Sequence, residues 1–171
     1  MRNIYLVGFM GTGKTASGKI LARKLKTVFI DLDELIEKDQ KRSINDIFEK
    51  EGEAYFRLLE YQQLEEFSRK DNLVVSCGGG IVINNENIVL MKKTGTIICL
   101  TSTPEAIFAR VKNQAHRPLL KVGDPLAKIK ELLLARAPFY GQADKTIDAS
   151  LLTPEQAADK ILEEIKKMPK L

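Results

Sequence analysis

Residues 8–15 read Gly-Phe-Met-Gly-Thr-Gly-Lys-Thr and follow directly on the apolar run Ile4-Tyr5-Leu6-Val7. Glycines at 8, 11 and 13 let the backbone curl, so that successive N–H groups point inward at an anion with no side chain in the way. The stretch fits GxxxxGK[ST], the Walker A pattern. In that pattern Lys14 reaches the β- and γ-phosphates of a nucleotide and the Thr15 hydroxyl ligates Mg²⁺. Gly11, Thr12, Gly13, Lys14, Thr15 and Ala16 make up the expected cradle. The motif requires a strand before it and a helix after it. Residues 4–7 look like a short buried strand, and Thr15-Ala-Ser-Gly-Lys-Ile-Leu-Ala-Arg-Lys-Leu carries apolar residues at helical spacing. A glycine-rich turn without a ligand is the plainer alternative, and this context argues against it.

The rest of the chain repeats the alternation. Strands are expected at 4–7, 28–30, 73–77, 96–100 and 146–148. Helices are expected at about 14–25, 34–49, 53–69, 104–112, 125–137 and 154–168, the last opening on Thr153 as N-cap with Pro154 at the first helical position. Such alternation implies βαβ crossovers and a parallel sheet covered on both faces, an α/β fold in three layers. At 171 residues, 44% hydrophobic and 29% charged, the chain reads as one soluble globular domain, 1–171.

In open parallel sheets ligands bind beyond the carboxyl ends of the strands. The first strand ends in the phosphate loop, the second in Asp31-Leu32-Asp33, the third in Gly78-Gly79-Gly80. Read as strand, Asp31 and Asp33 project to the same side, where one holds a metal and the other accepts a proton from an attacking hydroxyl. The plainer reading of Asp33 is an N-cap for the helix beginning Glu34-Leu35-Ile36. The three glycines allow a ligand to pack against bare backbone, or form only a flexible turn. Glu53, Arg57 and Glu60 share a helix face, so flanking carboxylates can fix the Arg57 fork to receive a bound carboxylate. A surface ladder of ion pairs is the alternative. Arg136 offers a second fork. Periodicity fails after Val111, and 111–123 reads as a mobile lid; its Arg117 can swing over a transferring phosphate and Arg110 can stack on a purine, and the alternative for each is an ordinary solvated arginine, which spacing alone does not separate.

Several classes are disfavoured. The net charge of +4 is spread over basic pairs mixed with acids, without the dense stripe and aromatics of a nucleic-acid binder. No apolar run approaches the about 20 residues of a membrane span, and the first strand begins too early for a cleaved signal, so a cytoplasmic location is expected. Cys77 and Cys99 fall in apolar runs and read as reduced packing residues.

The ordered set of P-loop, Asp-Leu-Asp, Gly-Glu-Ala-Tyr-Phe-Arg, Gly-Gly-Gly, Arg-Pro-Leu-Leu and Arg-Ala-Pro-Phe-Tyr resembles the shikimate kinases, within the nucleoside-monophosphate-kinase-like group, over essentially the full length. The resemblance implies a P-loop kinase fold with strand order 2-3-1-4-5, a substrate-binding segment near 32–60 and a closing lid. It implies transfer of the γ-phosphoryl of MgATP to the 3-hydroxyl of shikimate in aromatic amino-acid biosynthesis. By the same resemblance Asp33 binds the ring hydroxyls and is the candidate base. Arg57 and Arg136 hold the carboxylate with the glycines 78–80, and Phe48 and Phe56 wall the pocket. Lys14 and Arg117 stabilise the phosphates, Thr15 and Asp31 form the magnesium shell, and Arg110 contacts adenine. A monomer is expected. Where some members carry a basic residue before the last helix, this chain has Leu151-Leu152-Thr153-Pro154. The alternatives are a kinase of another small acceptor, such as gluconate or a nucleotide, and a non-catalytic P-loop binding module.

Overall fold

A computed structural model describes residues 1–112 and 123–168. Its elements in chain order are β1 (Asn3–Val7), α1 (Lys14–Leu25), β2 (Val28–Asp31), α2 (Leu32–Gln40), α3 (Ile44–Ser68), β3 (Leu73–Ser76), a 3-10 turn (Ile81–Ile83), α4 (Asn85–Thr94), β4 (Gly95–Thr101), α5 (Pro104–Val111), α6 (Pro125–Tyr140), β5 (Lys145–Asp148) and α7 (Pro154–Lys167). The five strands form one sheet in the order β2-β3-β1-β4-β5, with every neighbouring pair parallel. The expected three-layer α/β architecture and strand order are therefore present.

Alternation along the central strand divides the core. Tyr5 and Val7 pack with Leu64, Ile88, Met91, Ile107 and Ile129, on the side of α3 to α6. Ile4 and Leu6 pack with Leu21, Ala22, Ala158 and Ile161, on the side of α1 and α7. Helix α1 comes close to the sheet because Gly18 has no side chain: a methyl group there would lie 2.6 Å from the Phe29 ring and 2.9 Å from Leu6. A smaller apolar cluster, Ile36, Ile47, Phe56 and Leu59, joins α2 to α3 away from the main core.

Besides the end of α6, which runs to Tyr140 rather than 137, three features depart from the sequence reading. Helix α2 starts at Leu32 rather than 34, because Asp31, the last residue of β2, is itself the N-cap. Residues 44–68 form one helical run with its break confined to Gly52 (φ 82°, ψ 172°), instead of helices 34–49 and 53–69. Helix α4 was not expected at all. Its buried positions are Asn87, Ile88 and Met91, while the intervening Val89 is exposed, so the contiguous Ile-Val-Leu-Met run hides the helical face.

Candidate active site

The phosphate loop is braced by its own side chains. Lys14 heads α1, and its Nζ donates to the carbonyls of Gly8 (2.8 Å) and Phe9 (3.0 Å), while Thr12 Oγ1 also donates to Phe9 O (2.8 Å). Gly13, the residue before α1, has φ 95°, a conformation natural to glycine that turns the loop into the helix. Among the described residues no side chain caps this helix end, whose N–H groups and dipole favour an anion.

Asp31 and Asp33 do not project together from a strand as the sequence pattern suggested. Asp31 Oδ1 accepts from the backbone N–H of Asp33 (3.1 Å) and Glu34 (3.4 Å), and Oδ2 accepts from Thr15 Oγ1 (2.8 Å). The capping role falls to Asp31, and Asp33 stands in the first turn of α2. Ser76 Oγ lies 3.4 Å from Thr15 Oγ1. Thr15, Asp31 and Ser76 thus supply hard oxygen donors beside the loop, a set suited to a magnesium ion that draws its remaining ligands from phosphates and water. Among the described residues no group of three His, Cys, Asp or Glu side chains is arranged to hold a metal alone.

Asp33 keeps part of its surface open, but its Oδ1 is enclosed and has no hydrogen-bond partner among the described residues. Burial, followed by the Asp31 charge, pushes its pKa up to about 6, against the pull of Lys14 and Arg57. It therefore remains a carboxylate at neutral pH. Both opposing cations act on it, Lys14 from the phosphate loop and Arg57 from α3.

Arg57 lies between two acids. Its Nε and Nη2 donate to Glu53 Oε1 (3.2 and 3.0 Å), and its Nη1 pairs with Glu60 Oε2. Glu60 is 1% exposed and its Oε1 has no partner among the described residues, so burial raises its pKa to about 7 despite Arg57. For Arg57 burial works to lower the pKa, but Glu60 and Glu53 outweigh it and hold the guanidinium above its ordinary value. The two shifts pull opposite ways on the pair, toward a charged Arg57 and a protonated Glu60, because Arg57 is shared by two acids whereas Glu60 is enclosed with one oxygen unpartnered among the described residues. Phe56 sits under this guanidinium, 5.3 Å from ring centroid to Cζ, and stacks tilted on Phe48 at 4.8 Å.

The glycine loop is where these parts meet. A methyl group on Gly78 would lie 2.5 Å from Glu60 Oε1 and 2.8 Å from Asp33 Oδ1, and one on Gly80 would collide with the Arg57 guanidinium. Glycine is needed here for close approach. Arg136 reaches Gly79 O (3.4 Å) and lies 5.5 Å from the Phe9 ring centroid, so a P-loop residue supports the second arginine. Phe9 escaped the sequence reading because it occupies a variable position of the Walker pattern.

Arg110 closes the other end. It donates to Gly11 O (3.1 Å), Ser102 Oγ (3.3 Å), Ala149 O (2.8 Å) and Ser150 O (3.0 Å). The guanidinium so fixed walls an open cleft of about 260 Å³, together with the loop glycines 11 and 13, Ala16, Leu152 and Pro154. Arg117 and most of the expected lid 111–123 lie outside the described residues.

The sequence model of the family "Shikimate kinase" matches residues 10–166. The chain belongs to the shikimate kinase family. It is 46% identical over 168 residues to a shikimate kinase of Thermodesulfovibrio yellowstonii, covering 98% of this chain and 97% of that one. It is 49% identical over 162 residues to one from Caldanaerobacter subterraneus, covering 95% of each. Among solved structures, shikimate kinase from Acinetobacter baumannii in complex with shikimate superposes with a TM-score of 0.93 at 38% identity, covering 99% of this chain and 96% of that one. The chain is accordingly a kinase, an ATP-dependent phosphotransferase that uses ATP with Mg²⁺. No helix among the described residues is long and apolar enough to cross a membrane.

Proposed function

We propose that this shikimate kinase moves the γ-phosphoryl group of MgATP to the 3-hydroxyl of shikimate, with donor and acceptor lying end to end along the carboxyl edge of the sheet. The observation that carries this reading is the position of Asp33, whose Oδ1 lies against Gly78 together with Oε1 of Glu60, the partner of Arg57, and whose carboxylate feels the charges of both the P-loop Lys14 and Arg57. An acceptor whose acid group is gripped by Arg57 and Arg136 places a ring hydroxyl at Asp33, facing the phosphates. Arg57 is oriented by Glu53 and Glu60 to offer a planar fork, which binds a carboxylate in a geometry lysine does not reproduce. Glycines 78–80 let the ring approach, and Phe48 and Phe56 exclude water from its face.

On the donor side the loop 11–16 cradles the phosphates and Lys14 leaves the Gly8 and Phe9 carbonyls to meet them. Thr15 and Asp31 hold the magnesium, which when bound neutralises phosphate charge. Arg110 presents a face to the purine opposite Leu152 and Pro154, in place of a basic residue before α7. Arg117 completes the phosphate contacts from the lid 111–123. Asp33 orients the attacking hydroxyl and takes its proton. Phosphoryl transfer has a loose transition state, so most of the rate comes from this alignment and from cations around the transferring group. A single domain, with 32–60 as acceptor segment, working as a cytoplasmic monomer without nucleic acid, completes the reading.

ADP release measured with shikimate, gluconate and AMP in parallel tests the assignment. Turnover with shikimate alone, giving a product phosphorylated at the 3-position by ³¹P and ¹H NMR, is expected. Preferred turnover of gluconate or AMP, or nucleotide binding without transfer to any of them, would contradict it.

A further inference from the structure

Tyr140 ends α6 and is 7% exposed, yet its hydroxyl is not a buried liability: it donates to the carbonyl of Gly79 at 2.6 Å. Burial raises its pKa to about 12, so it stays a donor at any working pH. The same carbonyl receives Arg136 Nη1, one turn earlier on the same helix face. The peptide that follows is planar and leads directly to Gly80, whose α-carbon lies against the Arg57 guanidinium. Gly79 also lies close to the phosphate loop, since a methyl group there would come within 3.5 Å of both Gly8 O and Met10 N. One peptide unit therefore lies against both arginine forks and close to the donor loop, and the Tyr140 hydroxyl makes the shorter of the two hydrogen bonds to its carbonyl.

We infer that Tyr140 is a positioning residue for the acceptor's carboxylate: by fixing the Gly79 carbonyl it sets the Gly79–Gly80 peptide between Arg136 and Arg57 and so fixes the spacing of the two forks. This rests on the reading of Arg57, Arg136 and the glycine loop as the carboxylate pocket. Without the hydroxyl, the peptide keeps its covalent place but gains rotational freedom, and Arg136 is left to satisfy the carbonyl instead of the ligand. A loss of acceptor binding follows, with chemistry and nucleotide binding preserved once the ternary complex has formed.

Tyr140→Phe tests this, with Arg57→Ala as the companion variant. Steady-state kinetics with shikimate and with its methyl ester give a ratio of kcat/KM values that does not depend on how much of the preparation is folded. Tyr140→Phe is expected to raise KM for shikimate about tenfold, the scale of one well-placed hydrogen bond, with kcat within about twofold and KM for ATP unchanged. The preference for the free acid over the ester is expected to fall by a similar factor. A Tyr140→Phe enzyme with ordinary KM and ordinary preference, or one losing kcat equally with both acceptors, would overturn the inference while leaving the pocket intact if Arg57→Ala still loses shikimate. An unchanged KM in Arg57→Ala would overturn the pocket reading and this inference with it.

Discussion

Glu60 shows how a single side chain ties the stability of this protein to its site. It is enclosed, pairs with Arg57 through one oxygen, and has its proton held up to about pH 7 from an ordinary 4.5 by burial. The folded state thus binds that proton more tightly than the unfolded chain. Its contribution is fully present below 4.5 and is lost as pH rises through about 7. Compared with Glu60→Gln, which cannot ionise, the wild type should be relatively more stable at pH 5 than at pH 8. Thermal melts of both proteins at the two pH values check the sign. Lys14 has the opposite character, a half-buried cation that the loop carbonyls hold in place. Lys14→Met should lower kcat by about 10² or more, because it removes charge stabilisation from the transferring group. A near-normal rate in single-turnover measurements would refute its role. Asp33→Asn keeps the size of the side chain and removes the proton acceptor. Its kcat is expected to fall by about 10² or more with shikimate binding weakened less, as rapid-quench kinetics would reveal.

Among the elements, α3 depends most on one residue. Gly52 interrupts the run 44–68 with φ 82° and ψ 172°, and among the described residues no atom beyond the adjoining backbone lies within 4 Å of where a side chain would begin. Any cost of substitution there is conformational rather than steric. Gly52→Ala should destabilise by about 1–3 kcal/mol in urea unfolding and raise KM for shikimate, since the kink sets the Phe48 half of the helix against the Arg57 half. The sequence conveyed this break only as a pause between two helical patterns. It conveyed the strand, loop and helix of β1–α1 closely, because the Walker pattern dictates backbone as well as chemistry. It failed at α2, where Asp31 serves as last strand residue and N-cap at once and leaves no loop to read. It also failed at the end of α6. Pro138 sits in the last turn, and the helix runs past the expected 137 to Tyr140, the residue that grips Gly79. An Arg-x-x-x-Tyr spacing at i and i+4 was the available signal for that pairing.

At the scale of the whole molecule, five short apolar runs were enough to indicate a covered parallel sheet, but not the order of its strands, which came through family resemblance. Order is what creates the site: β3 between β2 and β1 brings Asp31 beside Ser76 in register and the glycine loop beside the phosphate loop. No local pattern reports that Glu60 is buried or that Asp33 Oδ1 lacks a partner among the described residues, since both follow from segments far apart in sequence. The central claim is one continuous groove with an acid-gripping end and a phosphate-gripping end. A crystal structure with shikimate and a non-hydrolysable ATP analogue tests it most directly. The shikimate carboxylate is expected on Arg57 and Arg136, and its 3-oxygen beside Asp33, within about 3.5 Å of the γ-phosphorus and in line for attack. Shikimate bound elsewhere, or turned so that another group faces the phosphate, would contradict the account.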